Sequence, residues 1–176
     1  MYRAIVLGTL IAAAAAAGPA VGDDHGHVTH FRAVLSGFNE VPAINSEGSG
    51  TVDVWMDHQA MTLTYKVTFS GLTSNTTQSH IHLGKIHTNA AVVVFFCTNL
   101  TAPAGVPMPP ACPIMGGTVT GMLSAADVLG VPAQNVKAGD FDAIEDALTS
   151  NTAYANVHSV NFPGGEIRGQ LVRDFF

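Results

Sequence analysis

Of the 176 residues, seven are Lys or Arg and thirteen are Asp or Glu, which gives a net charge of −6. An acidic, lysine-poor chain without a basic cluster excludes nucleic acid and anionic membrane as partners. Its length suits one domain with one core.

The N-terminal segment reads as a leader. Arg3 supplies a basic start, and Ile5 to Ala17 is an apolar run dominated by alanine. Gly18-Pro19 breaks that run, and Ala20-Val21-Gly22 has the small-x-small pattern of a cleavage site. Residues 1–22 are therefore expected to be a secretory signal peptide, which makes the protein secreted or periplasmic. The run is shorter than the roughly 20 apolar residues of a spanning helix, so no transmembrane segment is expected in the mature chain. Cleavage after Gly22 would leave Asp23-Asp24-His25 first. A free amine, two deprotonated amides and the His25 imidazole form a square-planar copper(II) chelate. The alternative is a solvated polar tail over residues 23–30.

From Phe31 the chain alternates apolar and polar residues, the period of a half-buried strand. Phe31 to Ser36 is a first strand, and Asn39-Glu40-Val41-Pro42 a turn. Gly50 to Met56 and Met61 to Phe69 form a hairpin around Asp57-His58-Gln59-Ala60. Ser79 to Leu83 follows. Ala91 to Phe96 is a continuous apolar run, as in a strand covered on both faces. Cys97 and Cys112 lie in a segment rich in proline (Pro103, Pro107, Pro109, Pro110, Pro113). In an exported chain they pair as a disulfide, and no Cys-x-x-Cys spacing supports thiolate metal ligands instead. Gly117 to Leu123 returns to strand.

Two short helices are expected next. Ser124 and Asp127 have the spacing of a capping box, and Asp140 to Leu148 is amphipathic through Phe141, Ile144, Ala147 and Leu148. Ala153 to His158 and Glu166 to Val172 are the last strands. The whole predicts an all-β fold of about eight strands, a Greek-key or immunoglobulin-like β-sandwich, with the two helices inserted before the last two strands.

The candidate site comes from strand periodicity. His80 and His82 share one face and Ile81 takes the other. By the same rule Tyr154, Asn156 and His158 share a face, as do Glu166, Arg168 and Gln170. If these strands are neighbours, three imidazoles can converge on one ion, and neutral imidazole suits copper and zinc. Asn156 and Glu166 could orient the rings. Arg168 either pairs with Glu40 or Glu166 or attracts an anion beside the cation. The competing reading is a metal-free hydrogen-bonded network that holds the sheet together. No nucleophile elbow is present.

Several motifs together resemble the CHRD domain, named for chordin: Leu35-Ser36-Gly37, Asn39-Glu40-Val41-Pro42, Thr62-Leu63-Thr64-Tyr65, Phe69-Ser70-Gly71-Leu72, His80-Ile81-His82, Asn156-Val157-His158 and Gly164-Gly165-Glu166-Ile167-Arg168-Gly169-Gln170. The resemblance spans roughly residues 31–173. It implies an immunoglobulin-like sandwich and an extracellular location more than an activity. The histidine pattern also resembles copper-zinc superoxide dismutase, with a His-x-His strand, a later Val-His and an arginine. No histidine lies between His87 and His158, however, so the likeness extends to related geometry and not to the full dismutase ligand set. Three functions follow as expectations. The first is a binding or structural module with a copper or zinc site. The second is a copper-dependent redox or dismutase-like enzyme. The third is a metal-free module that binds an extracellular protein.

Overall fold

The computed structural model describes residues 27–175. The leader over residues 1–22 and the His25 chelate lie outside the described residues. Strand β1 (Val28–Ser36) begins three residues before the alternation suggests, and it pairs antiparallel with β2 (Ser49–Asp57), which pairs with β3 (Thr62–Ser70). Alternation aligns their apolar sides: Phe31, Ala33 and Leu35, then Val52, Val54 and Met56, then Leu63, Tyr65, Val67 and Phe69 are all buried. The expected hairpin is present. Its turn is held by Asp57 Oδ1, which accepts from the amides of Gln59 and Ala60 at 2.9 and 2.8 Å.

Further along lie β4 (Thr76–Leu83), β5 (Val92–Thr98), β6 (Gly117–Leu123), β7 (Ala153–Ser159), β8 (Ile167–Gln170) and the two-residue β9 (Val172–Arg173). The strands form one antiparallel sheet in the order β5-β4-β7-β8-β1-β2-β3-β6, and β9 adds to β1. The two edge strands, β5 and β6, come close to each other. The Tyr65 hydroxyl of β3 donates to the Phe96 carbonyl of β5 at 2.6 Å. The result is a nearly closed barrel, not the expected two-sheet sandwich. Period two tells which face of a strand is wet, but it does not give strand order. Here β8 joins what would have been two sheets, pairing with β7 on one side and with β1 at Ser36↔Arg168 on the other. Gly169 makes that close approach possible, because a Cβ there would lie 2.3 Å from the Val34 carbonyl oxygen.

Among the described residues one α-helix is present, where two helices are expected. Helix α1 (Phe141–Thr149) is capped by Asp140, whose side chain accepts from the Ala143 amide, and it buries Phe141, Ile144, Ala147 and Leu148. The other expected helix is a 3-10 turn, Ala125–Asp127. Its capping box is complete, with Ser124 accepting from the Ala126 amide and Asp127 from the Ser124 amide. The cap starts a turn that Gly130 and Pro132 do not let continue, and so short a segment does not repay helix nucleation.

Cys97 and Cys112 form a disulfide. Beside it, Asn99 donates to the carbonyls of Thr76 and Cys112 and accepts from the Cys112 amide. Among the described residues no helix is long and apolar enough to cross a membrane. The core fills the barrel with Ile81, Ala155, Val157 and Ile167 among its members. The alternate residues of β4, β7 and β8 therefore face away from the core, and loops cover them.

Candidate functional site

On that outer face β4 and β7 are neighbours. Their register sets His80 opposite Asn156, His82 opposite Tyr154, and Gln78 opposite His158. Period two does the rest, bringing together residues that are more than seventy positions apart in sequence. One ring nitrogen from each of His80, His82 and His158 lies within 4.8 Å of the other two. The His80 and His158 ring centroids are 4.5 Å apart. All three residues are buried, at 1, 7 and 5 % exposed.

Backbone carbonyls orient two of the rings. His82 Nδ1 donates to Ala90 O at 2.8 Å, and His158 Nδ1 donates to Pro163 O at 2.9 Å. In each neutral ring the lone pair then sits on Nε2. His80 Nδ1 is 3.0 Å from His82 Nε2, to which it donates. The Nε2 atoms of His80 and His158 are buried and have no hydrogen-bond partner among the described residues. His82 Nε2 is also 3.1 Å from Asn156 Oδ1, so an acceptor faces a lone pair. The His80 N–H already engages that lone pair, so an ion held by His82 Nε2 must displace this hydrogen bond.

Burial holds all three imidazoles in the neutral form. His80 falls well below its ordinary value through burial first, then through repulsion from His158 and His82. Burial brings His82 down to about 4 against the opposing hydrogen bond to Ala90. His158 is lowered by burial against its bond to Pro163.

Around the cluster, Tyr154 stacks on His82 at 4.5 Å between centroids, and the Arg168 guanidinium lies 4.4 Å from the centre of the Tyr154 ring. Arg168 is a buried clamp. Its Nε donates to Asn39 O, and its Nη1 to Thr88 O and Asn89 Oδ1. The Tyr154 hydroxyl accepts from the Ala90 amide at 3.2 Å. The segment 84–91 is thus fixed over the cluster by bonds to His82, Tyr154 and Arg168.

The expected neighbours divide. Asn156 and Arg168 lie beside the cluster, and Glu166 does not. Its carboxylate accepts from Ser46 Oγ, from the amide and hydroxyl of Thr73, and from Ser159 Oγ. The cause is local: Gly165, at φ +124°, breaks the alternation just before β8. Of the two acids weighed for Arg168, Glu40 is the partner, with Oε2 3.7 Å from Nε. Burial pushes the Glu40 carboxyl up to about 7, with Arg168 opposing. The Ala90 and Pro163 carbonyls were not legible in the sequence, because any residue supplies a carbonyl. His87 lies outside the cluster, in a left-handed conformation at φ 63°.

Comparison with known proteins agrees with the motif reading. A profile of the CHRD domain matches residues 31–171, most of the chain and all of the strands that carry the cluster. Neither the curated proteins nor the solved structures yield a match. The histidine cluster and the arginine clamp fall within the matched span, and the chain belongs to the CHRD domain family.

Proposed function

We propose that this is an extracellular binding module in which His80, His82 and His158 hold one copper or zinc ion. The observation that carries the reading is the pair of partnerless, buried Nε2 atoms of His80 and His158, set beside His82 Nε2. Buried polar atoms are nearly always bonded, so an orphaned pair in a cluster of lone pairs points to a ligand. Metal-bound histidines usually donate their other N–H to a carbonyl or carboxylate, as His82 and His158 do to Ala90 and Pro163. The leader-like residues 1–22 and the disulfide support export.

The test is the metal content, by mass spectrometry, of protein purified from an exported preparation, alongside a His80→Ala/His158→Ala variant. About one equivalent of copper or zinc, lost in the variant, supports the site. No metal in either protein, with the variant less stable, favours the second reading, a structural network. That reading has its own observation, the 3.0 Å contact of His80 Nδ1 with His82 Nε2. A redox enzyme on the same ligands would need a substrate to reach the ion, and no ring is more than 7 % exposed. Turnover would therefore require segment 84–91 to lift, which redox assays on the metal-loaded protein would reveal.

A further inference from the structure

The site's charge environment narrows the choice of ion. The cluster contains histidines alone, with no Asp, Glu or Cys among its members. Among the described residues no carboxylate joins the three ring nitrogens. The nearest acid by sequence, Glu166, spends its oxygens on Ser46, Thr73 and Ser159. Among the described residues Glu40 is the other acid near the site, with Oε2 facing Arg168 and Oε1 toward Asn156 rather than the rings. An ion held here is stripped of water by burial and, among the described residues, finds no carboxylate in contact with it.

The cost of moving an ion out of water rises with the square of its charge, so a divalent ion loses about four times what a monovalent one loses. Zinc held by three histidines commonly offsets this with a fourth ligand, a water or hydroxide in an open position. Three rings at 1, 7 and 5 % exposed, roofed by the segment carrying Ala90, offer that ligand little access. A monovalent d10 ion has no such need, because three neutral nitrogen donors satisfy it in a trigonal arrangement.

We propose that the His80–His82–His158 cluster is a copper(I) site that discriminates against zinc(II) and copper(II) by burial without a counter-anion. This rests on the metal-site reading above and goes further by naming the oxidation state. Because the site disfavours the divalent state, bound copper stays reduced in air.

The experiment titrates the intact mature protein anaerobically with copper(I) against a chromophoric copper(I) chelator, and separately with zinc(II) against a chromophoric zinc chelator. Copper(I) is expected to bind at one equivalent. A tenfold excess of zinc should not displace it, and the sample should stay silent in electron paramagnetic resonance after exposure to air. A Phe95→Glu variant sets a carboxylate beside His80, whose ring now meets Phe95 at 4.9 Å. It should bind zinc at least tenfold more tightly than the parent protein does. Zinc displacing copper(I) from the unaltered protein, or a copper(II) signal growing in air, would overturn the copper(I) assignment and leave the metal site standing. Binding of neither ion would overturn the metal reading itself. If Phe95→Glu does not fold, the competition on the unaltered protein still decides.

Discussion

His82 Nδ1 lies 2.8 Å from the carbonyl oxygen of Ala90, and one hydrogen bond therefore ties the roof of the cluster to a ring beneath it. The bond fixes the ring's orientation, keeps the lone pair on Nε2, and withholds the ring from solvent. These effects have a consequence for proton competition. An exposed histidine binds a proton near pH 6.5, and a metal must displace it. Here burial lowers all three rings, His82 to about 4 and His80 well below its ordinary value. Metal occupancy should therefore hold nearly constant from pH 8 to pH 6 and fall only in more acidic solution. Equilibrium dialysis at pH 8, 6 and 4 checks this. A tenfold loss of affinity between pH 8 and pH 6 would mean that the rings titrate as exposed histidines do.

Glu40 should make the protein less stable as pH rises. Its carboxyl is pushed up to about 7, so between pH 4.5 and 7 the folded state holds a proton that the unfolded chain has released. Stability falls with rising pH wherever the folded state binds more protons. The buried histidines act in the opposite sense below pH 6.5, but that contribution is common to the parent protein and to Glu40→Gln, and it cancels in their difference. Moving from pH 4.5 to pH 7.5 should shift the balance toward Glu40→Gln by up to about 3 kcal/mol. Urea denaturation of both proteins at the two pH values measures the shift. An unchanged difference would show that Arg168 keeps Glu40 ionised throughout.

The sequence was most legible where a local period carries the information. His80 with His82, and Asn156 with His158, share faces because strands alternate, and the same rule separated the buried from the wet side of β2 and β3. It failed at Glu166, where Gly165 shifts the phase. Strand order was not legible either. Whether β8 closes a barrel or caps a sandwich depends on its pairing with β1, a contact between segments far apart in the chain. The helix that the Ser124–Asp127 spacing predicts does not form, because the cap is real and the body is missing. Glu40 entered only as one of two partners for Arg168. The deciding fact was three-dimensional: Gly165 brings bare backbone up to Glu40 and Asn156, and a Cβ there would meet Glu40 Oε1 at 2.5 Å.

If Gly169 is what lets β8 join β1, adding one methyl group there should break the barrel. The Cβ of Gly169→Ala would sit 2.3 Å from Val34 O and 2.9 Å from its carbonyl carbon. Backbone cannot yield as a side-chain tip can, so β1 and β8 must separate. The expected cost is at least about 3 kcal/mol, in the range of severe core disruption. Thermal and urea unfolding measure it. A variant within about 0.5 kcal/mol of the parent, the usual range for harmless surface changes, would show that the β1–β8 contact is not what holds the sheet together.

Removing the disulfide should lower stability without emptying the site. The bridge closes a separation of 15 residues, for which the chain-entropy estimate is about 3 kcal/mol. The native position of Cys112 does not depend on the bridge alone, because Asn99 binds the Cys112 amide and carbonyl and the Thr98 amide donates to Pro110 O. Most of the loss in Cys97→Ala/Cys112→Ala should therefore arise from the greater freedom of the unfolded chain. The folded barrel should keep its shape and its histidine cluster. Urea denaturation should give a lower midpoint, and the metal stoichiometry of the folded variant should match the parent. A variant that folds but no longer binds metal would mean that the bridge sets the register of β5 against β4, and that Phe95 and His80 depend on it.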